Sequence, residues 1–248
     1  MKLSGLDFVS TVGTNVALSR GMSESNQHNV EILEIEAVTH DVRRFVTSKP
    51  EGFEFKPGQA TEVAMAKDGW REEKRPFTFT SLPTDPNLEF TIKIYPERDG
   101  VTDRLGELEV GDELIIGEAW GAIQYQGPGT FIAGGAGVTP FIAIFRELEK
   151  TEKLEGNRLI FSNHSEDDVI LAGELRRLFG DRALYTLTEG SSDHYETSRI
   201  DRDFLKNEIS DFEQNFYVCG PPEMVEDVVA DLRDLGVSED HIVREEAA

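Results

Sequence analysis

A chain of 248 residues, 38% hydrophobic and 29% charged, can bury the core of one large or two small globular domains, and its composition is neither fibrous nor disordered. With 48 acidic against 25 basic residues its formal net charge is −23, which argues against nucleic acid or an anionic membrane as partner, and no apolar run approaches the ~20 residues that span a bilayer. The single cysteine, Cys219, excludes a disulfide framework and any site needing several thiolates, such as a plant-type iron–sulfur cluster; no metal site is expected, and a reduced, cytoplasmic setting is the natural reading.

In chain order, residues 1–28 read as a flexible N-terminal tail. Their apolar stretch is broken by Asp7, Thr11, Gly13 and Asn15, a poor signal peptide. Residues 29–126 read as one unit of short strands. "VEILEIEAV" alternates apolar and polar residues with period two, and "DVRRFVTSKP", "ATEVAMA", "FTFTSL", "LEFTIKIYP" and "DELIIGEA" continue the pattern between the turns "KPGQ", "PTDPN", "RDG" and "VGD". Six strands without a long helix predict a closed antiparallel β-barrel.

After Gly127 the pattern changes, so residues 127–248 read as a second unit. Strands "GTFIAGG", "NRLIFSN", "RALYTLTE", "NFYVCG" and "HIVRE" alternate with helices "VTPFIAIFRELEK", "VILAGELRRLF", "IDRDFLKNEI" and "PEMVEDVVADLRDLG". That alternation predicts an α/β domain, a parallel sheet with helices on both faces, in which ligands bind beyond the carboxyl ends of the strands. The excess of acid reads either as a well-hydrated surface or as adaptation to a saline cytoplasm, where ~1 M salt shortens the Debye length to ~3 Å.

Four stretches carry possible chemistry, and each has a plainer reading. In "IAGGAGVTPF", Gly134, Gly135, Gly137, Val138, Thr139 and Pro140 lie between a strand end and a helix start, either as a phosphate cradle or as a tight turn. Pro140 suits an early helix position, where a missing N–H is not missed. In "FYVCGPPEMV", Cys219 sits at a strand tip, facing the crevice with Thr139 or buried as a small hydrophobe. In "KRPFTFTS", Arg75 can pair with a phosphate, Phe77 offers a ring face and Thr78 a hydroxyl, or the segment is an ordinary strand with an exposed arginine. In "RDGVTDRL", Gly100 and Thr102, the latter as helix N-cap, form a second anion cradle or simply a turn and cap.

Their order along the chain is more specific than any one of them. Arg75-Pro76-Phe77-Thr78, then Gly100-Val101-Thr102, then Gly-Gly-x-Gly-x-Thr-Pro at 134–140, then Cys219-Gly220-Pro221-Pro222-x-Met224 resembles the ferredoxin–NADP reductase superfamily over about residues 29–246. The resemblance implies a flavin-binding barrel followed by a pyridine-nucleotide domain. Arg75 would hold the flavin phosphate, Phe77 pack near the isoalloxazine and Thr78 hydrogen-bond near its N5; the family's tyrosine hydroxyl is missing at Phe77. Ile92, Lys93 and Ile94 match the strand along the ribityl side, and Gly100, Val101 and Thr102 the second phosphate cradle. The 134–140 glycine stretch matches the nicotinamide-nucleotide cradle and the 219–224 segment the motif flanking the nicotinamide. Nothing aromatic follows Tyr217, so the flavin face is expected to be open, with Glu245 nearby. Thr78, Cys219 and Glu245 are the implied catalytic residues.

The implied cofactor is FAD rather than FMN. The implied reaction is hydride transfer from the nicotinamide to FAD N5, with electrons passing to a separate acceptor: a flavodoxin, ferredoxin, cytochrome, oxygenase or small molecule. NADH is favoured over NADPH, because Glu166, Asp167 and Asp168 would repel a 2′-phosphate and Asn163-x-Ser-Glu-x-Asp168 looks like the NADH-using cytochrome-reductase branch; the same acids could equally cap the next helix. A monomer is expected. A reductase of free flavin or ferric chelates is the alternative enzyme, and a non-catalytic flavin- or nucleotide-binding regulatory subunit the alternative of another class.

Overall fold

The computed structural model describes residues 27–96, 100–121, 123–190, 192 and 194–245; the expected tail up to residue 26, and Arg98 and Asp99 of the "RDG" turn, lie outside the described residues. The first six strands are β1 (His28–Ala37), β2 (Val42–Thr47), β3 (Ala60–Met65), β4 (Arg75–Thr78), β5 (Leu88–Lys93) and β6 (Glu113–Ile116), with a short helix α1 (Val101–Leu105) between the last two. They pair antiparallel in the order β4-β3-β6-β1-β2-β5. Alternation turns Val30, Ile32, Phe45, Val63, Leu88, Phe90, Leu114 and Ile116 inward, where burial of each contributes about 1.5–3 kcal/mol.

In the barrel two local readings differ from the structure. The strand expected over 77–82 starts at Arg75 and stops at Thr78, because Phe79 leaves β3 and bridges to Phe90 on β5. That crossing draws the two edges of the sheet together and rolls it into a barrel, with Phe79 packed between the Phe55 and Phe90 rings at 4.3 and 5.3 Å. The N-cap of α1 is Gly100, not Thr102, which lies inside the helix; no side chain caps it.

The second sheet is parallel: β7 (Gly129–Gly134), β8 (Arg158–Asn163), β9 (Ala183–Leu187), β10 (Glu196–Thr197), β11 (Asn215–Cys219) and β12 (Ile242–Arg244), in the order β10-β9-β8-β7-β11-β12. The helices α2 (Thr139–Lys150), α3 (Ala172–Phe179), α4 (Arg202–Glu208) and α5 (Pro222–Asp234) join them. Two separate apolar clusters, one around Phe131, Phe145 and Phe161 and one around Ile132, Val218 and Val229, show both faces of the sheet covered. Every residue of β7 is buried, which is why it reads as a continuous apolar run. Helix α3 starts three residues later than its periodicity suggests, since Leu171 adopts a left-handed φ of 52° and residues 166–168 form a separate 3-10 turn.

The chain order reverses at β7. From it the chain runs outward through β8 and β9, and returns to place β11 on its other side, which makes the carboxyl ends of β7 and β11 the switch point of the sheet. At the opposite, amino end of β7 the connection between the two sheets is pinned to β11. The Tyr217 hydroxyl accepts from the Gln126 and Gly127 N–H groups at 2.8 and 3.1 Å and donates to the Gly127 carbonyl at 2.7 Å. The same ring stacks on Phe131 at 4.2 Å and Tyr125 at 5.8 Å.

Candidate functional site

A crevice of about 610 Å³ opens over that switch point. Its walls are the turn after β7 (Gly134–Gly137), the ends of β8 (Ser162 and Asn163) and β9 (Thr188), the tip after β11 (Gly220–Met224), and Lys93 and Tyr95 from the barrel. It therefore lies between the two sheets.

The glycines divide into two jobs. A Cβ on Gly137 would sit 2.4 Å from the Cys219 carbonyl oxygen, and one on Gly134 would sit 2.3 Å from the Met224 sulfur and 3.0 Å from Pro221. These two let the turn after β7 lie directly on the tip after β11. Gly135 is different: its φ is +51°, and nothing stands within 4 Å of where its Cβ would be. It leaves bare backbone facing the crevice, as a close-approaching ligand requires. Helix α2 follows with Pro140 in its first turn and α5 begins on Pro222.

Asn163 is the last residue of β8, 4% exposed, and among the described residues neither its amide nitrogen nor its oxygen has a hydrogen-bond partner. An unpaired buried amide costs about 1–3 kcal/mol. It lines the crevice, so a donor and an acceptor without partners among the described residues border that space.

At the barrel wall Lys93 Nζ lies 2.8 Å from Asp41 and 3.9 Å from Asp168, which His40 also approaches at 3.9 Å. Burial works against the Asp41 charge, but the bonds from Lys93 and Thr39 outweigh it and hold its carboxyl below the ordinary value; Lys93 is raised in return, against its own burial. His40, Asp41 and Asp168 are close enough to share a metal ion, yet the Lys93 ammonium already supplies the cation. Asp168 also closes a capping box, accepting from the Ser165 N–H at 2.9 Å and hydroxyl at 2.6 Å.

Three expected residues face elsewhere. The Thr139 hydroxyl turns back to the Ala136 carbonyl at 2.9 Å, Pro140 is buried in the helix turn, and Cys219 is 8% exposed within the core cluster of Val138 and Phe141. Burial and the neighbouring Glu245 push the Cys219 thiol up to about 12, so it is a neutral thiol at physiological pH. Cys219 is thus buried and off the crevice wall, while Glu245 is exposed and acts on the thiol through its charge alone.

On the barrel, Arg75 and Pro76 are exposed and Phe77 and Thr78 half-buried. The Arg75 guanidinium donates to the Lys74 carbonyl at 2.7 Å and makes no ion pair among the described residues, so its remaining donors are available to an anion. Ile92 is buried, Lys93 and Ile94 are half-buried, and Val101 is buried beside half-exposed Gly100 and Thr102. Sequence reasoning missed Thr188, Arg199 and Asp227 on the crevice wall. Thr188 follows β9 and was findable by the rule that ligands meet strand ends; Arg199 and Asp227 belong to no motif.

The oxidoreductase NAD-binding domain family matches residues 131–230. The chain is 29% identical over 225 residues to the ferredoxin–NAD(P)(+) reductase component of the naphthalene 1,2-dioxygenase system of Pseudomonas putida, covering 85% of this chain and 66% of that protein. It is 27% identical to NADH–cytochrome b5 reductase 1 of Arabidopsis thaliana, covering 88% and 83%. It spans between 61% and 66% of the length of several oxygenase-system reductases it matches. In fold it is similar to a Neisseria gonorrhoeae ferredoxin–NADP+ reductase solved with bound FAD and NADP, with a TM-score of 0.79, 22% identity, and coverage of 90% of this chain and 99% of that one. An antiparallel barrel joined to a parallel sheet, with a glycine turn at the switch point, is the fold of that reductase, and the family match and the similarity to these reductases support the ferredoxin–NADP reductase superfamily.

Proposed function

We propose that the protein is an FAD-dependent NAD(P)H reductase that hands electrons to a separate acceptor. The observation that carries this reading is the crevice at the switch point, walled by the open Gly135 and the unpaired Asn163 amide and closed on its far side by the barrel. The bare backbone at Gly135 would take the nucleotide's diphosphate, with the first N–H groups of α2 behind it. The Asn163 amide would regain both its bonds on the nucleotide. Arg75 would hold the flavin phosphate, Thr78 donate to the reactive edge of the ring, and Phe77 pack beside it. FAD, when bound, supplies hydride acceptance and release of electrons one at a time. The chain's own part is to orient the two rings and to keep water from between them. The division near Gly127 into a flavin unit and a nucleotide unit is part of this proposal.

NADH is the proposed donor, because Asp168 on the crevice wall and Glu166 and Asp167 beside it disfavour a 2′-phosphate. Arg199, on the same wall, is the observation that favours NADPH instead; Asp227 lies 3.7 Å from its guanidinium and competes for it. The proposed acceptor is a redox protein with a basic face or an oxygenase component, given a net charge of −23. Gel filtration of FAD-loaded protein followed by NADH-driven ferricyanide reduction tests the reading. Retained flavin with turnover supports it; loss of flavin on the column with turnover restored by added free flavin favours the free-flavin reductase.

A further inference from the structure

We propose that Arg146 is a positioning residue, one guanidinium that fixes the nucleotide half against the barrel and thereby sets the spacing of the two rings; this rests on the function proposed above. Arg146 lies on α2, two helical turns or roughly 10 Å beyond Thr139 and the glycine turn. Its Nη1 crosses to the barrel, donating to the Thr80 carbonyl at 2.7 Å and to the Glu89 carboxylate at 2.6 Å. Its Nε and Nη2 grip Glu174 of α3 with two parallel bonds, at 2.8 and 2.9 Å. Thr80 is two residues, about 7 Å, beyond Thr78. The same planar fork therefore touches the helix behind the nucleotide cradle, the helix beside it, and the segment that carries Thr78.

The barrel side of this contact is built to receive it. Glu89 accepts from the Thr80 hydroxyl at 2.9 Å and lies 3.3 Å from Arg44, its N–H donates to the Ser81 hydroxyl at 3.0 Å, and the Thr80 and Thr91 hydroxyls are 3.2 Å apart. Arg146 is only 19% exposed, so charge-assisted bonds there are little screened. Burial works against its charge, and Glu174 and Glu89 outweigh that and hold it firmly protonated. Neighbouring ties between the halves are looser: Lys150 to Thr84 is exposed, and Lys93 to Asp168 spans 3.9 Å. A lysine ammonium has three donors at a single point and no planar fork, so it cannot reproduce the four bonds that Arg146 makes from three nitrogens.

The test uses FAD-loaded protein with spin labels on Asp68→Cys in the barrel and Glu155→Cys in the nucleotide half, both exposed positions, while Cys219 is buried. In Arg146→Met the flavin should stay bound, the inter-label distance distribution should broaden, and flavin reduction at saturating nucleotide should slow by about tenfold or more, with Arg146→Lys between. Glu89→Gln should act in the same direction and Glu174→Gln much less, since only Glu89 spans the two halves. An unchanged distance distribution, or a reduction rate within about twofold of the parent, overturns the proposal. If Arg146→Met does not fold, Glu89→Gln decides by the same two readouts. A parent protein that neither nucleotide reduces removes the proposed function, and the label distances then decide by themselves whether Arg146 holds the halves together.

Discussion

Gly135 and Gly137 stand two residues apart and fail differently when substituted. Gly137→Ala drives a methyl group toward the Cys219 carbonyl, a backbone atom that cannot swing away, and should cost about 1–3 kcal/mol of stability in denaturant unfolding. At Gly135 the Cβ of a valine meets no atom within 4 Å, but the residue must hold a left-handed conformation, at about 1–2 kcal/mol, and its branches cover the backbone face proposed for the diphosphate. Its signature should be a nucleotide KM raised about tenfold or more with the bound flavin spectrum intact; loss of flavin would mean the nucleotide site is misplaced. The sequence showed a glycine cluster but could not divide it, because the atoms that separate packing from binding belong to a strand tip more than 80 residues away. Cys219 is a second case: its place at the tip was legible, and of the two readings open there, facing the crevice or buried as a small hydrophobe, the fold selects the buried one.

At the scale of the element, β8 delivers Asn163 to the crevice with both amide atoms unpaired. Asn163→Leu, close in volume, removes that cost. The nucleotide-free protein should be equally stable or more stable by about 1–2 kcal/mol in denaturant, while nucleotide KM rises about tenfold. A variant destabilised with unchanged KM would make Asn163 a structural residue. Most elements were readable from periodicity, because half-buried strands and one-sided helices advertise their faces. The misses were tertiary. β4 ends where Phe79 crosses to Phe90, α3 is delayed by the Leu171 conformation, and β10 is a two-residue strand held by pairing to β9. Arg199 and Asp227 escaped for the same reason, since only the folded sheet brings them beside Asn163.

Across the whole molecule, the fold class, a nearly closed antiparallel barrel followed by a parallel sheet, was legible in the change from strands alone to strands alternating with helices, and what no local pattern carries is how the parts are held together. Titration offers one global check. Burial, aided by Glu245, pushes the Cys219 thiol up to about 12, and burial pushes the Tyr185 hydroxyl, which has no hydrogen-bond partner among the described residues, up to about 12. Both groups bind their protons more tightly folded than unfolded. Their contribution is therefore complete below the unfolded values, about 8.5 for Cys and 10 for Tyr, and is lost as pH rises toward about 12, at no more than about 1.4 kcal/mol per pH unit for each group. Stability should decline from about pH 8.5 and more steeply above about 10. Cys219→Ala should delay the onset to about pH 10, and an unshifted onset would place the thiol in an ordinary environment.

The central claim is that the crevice aligns a reduced nicotinamide with a flavin held on the barrel. Anaerobic stopped-flow mixing of the FAD-loaded protein with NADH, and separately with NADPH, tests it most directly. The flavin absorbance should bleach in a single saturable phase, faster with NADH. Retained flavin that neither nucleotide bleaches would contradict it and leave a binding subunit as the reading of the same fold.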